Sequence, residues 1–322
     1  MTHRDDYAIV VEALTKRYGD LWAVNDVSFT VRKGEVFAFL GPNGAGKTTT
    51  VEIIETIRTP TSGKVSVLGM DVAKHKRDIL PRIGVLPQAF NSFDRLTVAE
   101  SIQYYSKLFG GKKPDLDSLM DLADLGDKRD VQFKKLSGGL KQRMGIALAL
   151  VNDPEVVFLD EPTTGLDPHA RREVWDVLLG LKRRGKVVFL TTHYMEEAEL
   201  LADTVAIISK GKLIASGSPD QLIERNADYM CLTLKAMDAA AVETMRNISF
   251  KPVQDDLGNI TVRVKSTDDV QKILSAIKAS GGAGMSLPGM DVRKPNLEEV
   301  FLRLTGEEFR EGAPGAADGG GK

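Results

Sequence analysis

The sequence predicts an α/β fold on a mainly parallel sheet, with a smaller α+β unit behind it. Three observations carry this. Short apolar runs bounded by charges or turn residues recur at 7–11 (YAIVV), 36–40 (VFAFL), 156–159 (VVFL) and 187–190 (VVFL). They read as strands, and the later ones, without polar alternation, read as covered on both faces. Helical patterns follow several of them, at 47–57 and 170–184, and such alternation is the mark of a parallel sheet. Finally, composition shifts near residue 225, and the chain beyond it is patterned as a separate unit.

Residues 97–150 differ from the rest of the first unit. They carry helical patterns with little strand character, broken by Gly110, Gly111, Pro114 and Gly126. An all-helical insertion is the simplest account. In the second unit, 229–234 (YMCLTL) reads as a strand and 238–247 as a helix. Residues 260–264 (ITVRV) alternate with period two, as a half-buried strand should. The Asp-Asp-Leu-Gly-Asn turn at 255–259 makes a hairpin with residues near 249–254. Val270, Ile273, Leu274 and Ile277 line one face of a helix over 268–279, with Thr267 as candidate N-cap. A last strand is placed near 285–293, and Leu297, Val300, Phe301 and Leu304 repeat the helical spacing. The order strand-helix-strand-strand-helix-strand is the split βαβ, ferredoxin-like arrangement. The Gly- and Ala-rich 306–322 reads as a disordered tail. The expected division is therefore 1–225, 226–305 and 306–322.

Composition narrows the function. The 322 residues carry 43 basic and 45 acidic side chains, for a net charge of −2. That balance argues against sequence-independent nucleic-acid binding, so no nucleic-acid partner is expected. Cys231 is the one cysteine and admits no internal disulfide; a small, buried apolar role is expected of it. The longest run free of charged and strongly polar residues, Met144 to Val151, is far too short to span a bilayer. MTHRDDYAIV lacks the apolar stretch of a signal peptide. A cytosolic protein is expected, held by something else if it works at a membrane.

The strongest local signal is Gly41-Pro42-Asn43-Gly44-Ala45-Gly46-Lys47-Thr48-Thr49. It matches G-x-x-x-x-G-K-[ST] and sits between a strand and a helix, the context that gives the motif meaning. Its glycines let backbone N–H groups fold around phosphates, and the helix N-terminus adds positive potential. Lys47 is placed to reach the β- and γ-phosphates, and the Thr48 hydroxyl to ligate Mg²⁺. The run 156–159 ends in Asp160 and Glu161. Asp160 is placed to bind Mg²⁺, directly or through water, and Glu161 to polarise the attacking water.

Leu136-Ser137-Gly138-Gly139-Leu140-Lys141-Gln142-Arg143 closely resembles the LSGGQ signature of ATP-binding cassette (ABC) proteins. It lies between the phosphate loop and the Asp-Glu strand, where that family has it. Leu140 replaces the usual glutamine, but Ser137, Gly138 and Gly139 are intact, so contact with ATP is expected to survive. Tyr18, in Lys-Arg-Tyr-Gly, resembles the aromatic that stacks on adenine. Gln88, in Gly-Val-Leu-Pro-Gln, resembles the glutamine that senses Mg²⁺ and the γ-phosphate. Gly165-Leu166-Asp167 resembles the loop that crosses between subunits, and His193 the histidine that contacts the γ-phosphate. His3, His75 and His169 have no motif and read as surface residues.

The resemblance covers roughly residues 7–222 with its motifs in order. It implies a P-loop NTPase cassette: a RecA-like core, an antiparallel β subdomain and a helical insertion. ATP and Mg²⁺ are the implied cofactors, with Thr48, Gln88 and Asp160 around the metal and Lys47, Gln88, Glu161 and His193 as catalytic residues. It implies a head-to-tail dimer, homodimeric by preference. Each ATP then lies between Tyr18, Gly41, Asn43, Gly44, Gly46, Lys47, Thr48 and Thr49 of one copy and Ser137, Gly138, Gly139 and Asp167 of the other.

Three classes of ABC protein compete. Translation-factor types carry two cassettes in one chain, and here there is one. Repair types insert a long coiled coil, but Ser137 follows Lys47 by only 90 positions without a heptad run. A transport ATPase working with separate permease subunits, at the cytoplasmic face of the membrane, is the reading that remains. Gln88 to Glu100 is expected to line the permease groove, with Phe90, Phe93 and Leu96 as apolar anchors. Pro295 to Gly306, with its Leu-Glu-Glu-Val-Phe run, and Thr163 to Pro168 resemble cassettes of the daunorubicin-resistance exporter type, which implies export of drugs or lipids. An importer with a C-terminal ligand-sensing domain is the alternative. Arg171-Arg172 and Lys182-Arg183-Arg184 read as a solvated helix face.

Overall fold

The computed structural model describes residues 6–109, 115–235, 237, 239–280 and 289–306. The chain divides into two compact units at Pro219/Asp220. In the first, chain order runs β1 (Tyr7–Tyr18), β2 (Leu21–Arg32), β3 (Val36–Leu40), α1 (Lys47–Ile54), β4 (Ser62–Val67), β5 (Met70–Asp71), α2 (Lys76–Ile79) and β6 (Ile83–Leu86). The helices α3 (Val98–Leu108), α4 (Leu116–Leu122) and α5 (Gly138–Ala149) follow as a helical block. Then come β7 (Val156–Asp160), α6 (Pro168–Arg183), β8 (Val187–Thr192), α7 (Met195–Leu201), β9 (Thr204–Ser209) and β10 (Lys212–Gly217), and α8 (Pro219–Asn226) starts at the division and belongs to the second unit from Asp220 on.

Two sheets result. The larger has the order β10-β9-β3-β8-β7-β6. Its strands run parallel from β9 to β6, and β10 closes the edge antiparallel to β9. The smaller, β2-β1-β4-β5, is antiparallel throughout. The apolar runs of β3 and β8 are buried at every position, as strands covered on both faces must be. Phe37, Phe189 and Phe158 stand in register across β3, β8 and β7. Phe29 of the other sheet stacks on Phe37 at 5.2 Å between ring centroids and so ties the sheets together. Each such ring stabilises by about 1.5–3 kcal/mol through burial, and ring pairs add about 0.5–1.5 kcal/mol.

The helical pattern expected over 47–57 stops at Ile54. Thr56 turns left-handed (φ 66°), and the N–H groups of Ile57 and Arg58 both return to the Glu52 carbonyl. α3 is capped by a reciprocal Thr97–Glu100 box. Its buried Val98 and Ile102 pack with Phe133, Met144 and Leu148 into a core separate from that of the sheets.

The second unit contains β11 (Met230–Leu234), α9 (Ala239–Asn247), β12 (Val253–Gln254), β13 (Ile260–Val264), α10 (Thr267–Ser280), β14 (Met290–Arg293) and α11 (Leu297–Thr305). Its sheet has the order β12-β13-β11-β14 and is antiparallel at every pairing. Leu232, Leu234, Ile260 and Val262 form its core with Met245, Ile273 and Ile277 of the helices. Thr267 is the first helical residue of α10 rather than its cap. The cap is Ser266, whose Oγ accepts from the Asp269 N–H at 3.3 Å. Among the described residues the last strand runs Met290–Arg293, and the earlier part of its expected range, 285–288, and most of the expected tail, 307–322, lie outside the described residues. Cys231 is buried, but more than apolar filler. Its Sγ donates to Glu299 Oε1 at 3.0 Å, and burial pushes the thiol up to about 11.

Candidate functional site: a phosphate loop closed on a buried carboxylate

β3 delivers the chain into the Gly41–Gly46 loop, and α1 starts at Lys47. Gly46 is at φ 101°, and a Cβ there would stand 2.3 Å from the Ala23 carbonyl oxygen. Conformation and space both demand glycine. The first turn of α1 holds no acid, so its N–H groups and dipole present net positive potential. Asn43, Gly44 and Thr48 are exposed at the loop, Thr49 is half-buried, and Gly41 is buried under Ile208. The buried Lys47 ammonium donates to the carbonyls of Gly41 (2.7 Å) and Pro42 (3.3 Å). It stands 3.3 Å from Glu161 Oε1. Burial lowers its pKa, while Glu161 pulls the other way.

Glu161 is the point on which the site converges. Gln88 Nε2 donates to its Oε2 at 3.2 Å and Thr164 Oγ1 at 3.1 Å. His193 Nδ1 lies 3.1 Å from the same oxygen. The Glu161 backbone is left-handed (φ 48°), an unfavourable region for a side chain. Its N–H is held by Thr191, through the hydroxyl at 3.0 Å and the carbonyl at 3.1 Å. Burial acts to raise the Glu161 carboxyl, but the His193 contact and the Lys47 charge outweigh it and hold the carboxyl at about 2. Asp160 next door accepts from the Thr191 hydroxyl. Burial raises its pKa, against that bond.

Lys47, Gln88, Glu161 and His193 are thus brought together, with Asp160 alongside. Ser137, Gly138, Gly139 and Asp167 form a second assembly. Ser137 caps α5 by accepting from Leu140 N. A Cβ on Gly139 would lie 2.8 Å from that of Ala170, so this glycine permits the close contact of α5 with α6. Asp167 caps α6 through the N–H groups of His169 and Ala170, both at 3.0 Å. Leu140, the departure from the family signature, packs on the helical core. Tyr18 is exposed at the end of β1, with Lys16 Nζ 5.1 Å from its ring.

A cavity of about 370 Å³ lies beside the site, lined by Glu55, Ile83, Phe90, Tyr105, Phe109 and Leu148 among others. Of the expected anchors, Phe90 lines it. Phe93 is 51% exposed and meets Tyr104 edge-on at 5.2 Å. Leu96 is half-buried and is not among the residues that line it; its carbonyl accepts from Phe133 N. Sequence reasoning missed Glu55, which is 5% exposed. Burial, with Asp160 and Glu52 as neighbouring charges, pushes its carboxyl to about 8. The basic pairs are less uniform than expected. Arg171 is half-buried with its guanidinium 4.4 Å from the Tyr194 ring, and Lys182 pairs with Asp203 at 2.6 Å.

Fold and site together define a P-loop ATPase of the cassette type. The family described as ABC transporter matches residues 24–164. The Nod factor export ATP-binding protein I of Rhizobium meliloti (strain 1021) is 39% identical over 308 residues, covering 94% of this chain and 90% of that protein. The chain therefore belongs to the ABC transporter family, as an ATP-binding subunit with ATPase activity. Among solved structures, cbiO1 of Clostridium perfringens, part of the transporter complex cbiONQ, aligns with a TM-score of 0.61 at 28% identity. That match covers 68% of this chain and 91% of that one. A dimeric ATP-binding cassette in a post-hydrolysis state with ADP and Pi aligns at 0.58 and 25% identity, over 65% of this chain and 98% of that one.

Proposed function

We propose that this chain hydrolyses MgATP to drive export of drugs or lipids through separate permease subunits, as a daunorubicin-resistance-type exporter cassette. The observation that carries the hydrolytic reading is the Glu161 carboxylate, kept ionised and aimed by Lys47, His193 and Gln88. An ionised carboxylate beside a phosphate loop can orient and deprotonate water for in-line attack on a γ-phosphate. Lys47 then leaves its carbonyl partners for the phosphates. His193 steadies Glu161 through Nδ1, which leaves Nε2 for the γ-phosphate. Tyr18, exposed beside the loop, offers its face to adenine.

Among the described residues no group of three or more His, Cys, Asp or Glu side chains could hold an ion alone. Magnesium suits the site instead as phosphate-borne Mg²⁺. The Thr48 hydroxyl, the Asp160 carboxylate and the Gln88 carbonyl are the hard oxygen donors it takes beside phosphate and water. Bound there, it neutralises charge developing on the phosphates.

The Ser137–Gly139 and Asp167 assembly serves the ATP of a second copy, so two cassettes, two copies of this chain, close head to tail. The dimeric, ADP-bound relative supports that reading. The export name of the 39% identical relative favours export over import. No helix among the described residues is long and apolar enough to cross a membrane. Permease subunits hold the chain at the cytoplasmic face, through Phe90 in the cavity wall and the exposed Phe93. Residues 1–225 act as the cassette and 226–305 as its accessory domain. In proteoliposomes with its permease, MgATP should drive amphiphile efflux that chelation of Mg²⁺ abolishes. Phe93→Glu should release the permease while basal hydrolysis persists. Retained binding and coupling in that variant would refute the docking face.

A further inference from the structure

Glu197 lies on α7, four positions after His193, and is fully buried. Its Oε1 accepts from Thr163 Oγ1 at 2.8 Å and from Trp175 Nε1 at 3.0 Å. Burial raises this carboxyl, against the bonds from Thr163 and Trp175 that lower it. Thr163 is two positions beyond Glu161, and α7, which carries Glu197, begins two positions after His193. Through its own helix and the Thr163 hydroxyl, one carboxyl therefore ties the segment of His193 to the loop of Glu161, and through Trp175 to the middle of α6.

Stability alone does not explain an acid there. Enclosing a carboxyl costs several kcal/mol unless its bonds compensate, and a well-packed apolar side chain in such a place is often as stable or more so. A short helix lying on a sheet needs only an apolar inner face, which Met195, Ala198 and Leu201 already supply. What an apolar residue could not do is bond to the Thr163 loop and to α6 at once.

We propose that Glu197 is a positioning residue for ATP hydrolysis, locking the loop that carries Glu161 to the segment that carries His193. Displacement of a reacting group by about 1 Å costs up to roughly 10²-fold in rate, and a freed Thr163 loop allows such a displacement. The proposal rests on the roles given above to Glu161 and His193.

The test is steady-state hydrolysis of MgATP by the full chain, with thermal unfolding measured alongside. Thr163→Val, nearly isosteric, should lower kcat by about tenfold or more with the KM for ATP within about twofold. Glu197→Ala should lower kcat at least as far, and Glu197→Gln, which keeps an acceptor oxygen, should recover most of that loss. Trp175→Phe, which frees only the α6 side, should lower the melting temperature while keeping kcat within about threefold. The proposal is overturned if Thr163→Val retains wild-type kcat, or if Trp175→Phe loses as much kcat as Thr163→Val. Glu161→Gln separates the two levels. If it still turns over, the reading of the site fails. If it is inactive while Thr163→Val is normal, only the role of Glu197 fails.

Discussion

Glu161 and Glu55 are equally hidden carboxyls in one unit, 8% and 5% exposed, yet they are driven in opposite directions. Glu161 is held at about 2 and Glu55 is pushed to about 8. Burial acts the same way on both. The difference lies in company: Lys47 and His193 face Glu161, whereas the charges felt by Glu55 are the carboxylates Asp160 and Glu52. Burial raises both carboxyls; at Glu55 it prevails, with like charges adding to it, and at Glu161 the facing partners reverse it. Glu161 is an ionised carboxylate at neutral pH, while Glu55 is a largely protonated wall of an apolar cavity.

The contrast breaks most visibly at Lys47. Lys47→Ala removes the proposed phosphate contact and a charge that depresses Glu161. It should lower kcat/KM for ATP by roughly 10³-fold, about 4 kcal/mol of barrier, as read by steady-state hydrolysis. His193→Ala is next. It should cost roughly 10²-fold in kcat. It should also move the acid limb of the pH–rate profile upward, because Glu161 loses a partner that keeps it ionised. A limb that stays in place would show that His193 does not tune Glu161.

The smallest effect concerns Glu55. Its folded pKa lies above the ordinary 4.5, so its contribution to stability is complete below pH 4.5 and is lost as pH rises through about 8. Glu161 runs oppositely: its contribution is present above pH 4.5 and fades as pH falls toward about 2. Glu55→Gln should therefore raise the melting temperature by on the order of 5 °C at pH 9 and leave it nearly unchanged at pH 4.5. Equal shifts at both pH values would refute the buried, titrating state of Glu55.

What the sequence disclosed follows the same division. β3, β7 and β8 were legible because a strand covered on both faces is a bare apolar run. β2 was not singled out, although Val24, Val27, Phe29 and Val31 point inward. The left-handed residue Asp26 and the register shifts against β1 break its period-two signal. Lys47, Gln88, Glu161 and His193 were legible because each sits in a local motif at a strand end. Glu55 and Glu197 were not. Each looks like an ordinary acid on an amphipathic helix, and its meaning arises only when residues distant in sequence enclose it. Arg171 misled for the same reason, since only the folded chain brings Tyr194 beneath it.

The central claim is that Glu161 is the base of an ATPase whose ATP is shared between two cassettes. Glu161→Gln keeps the shape of the side chain and removes its charge. Measured together, MgATP turnover and mass by light scattering decide the matter. The account predicts turnover nearly abolished, with a stable dimer retaining ATP. Steady-state hydrolysis at the wild-type rate would contradict it.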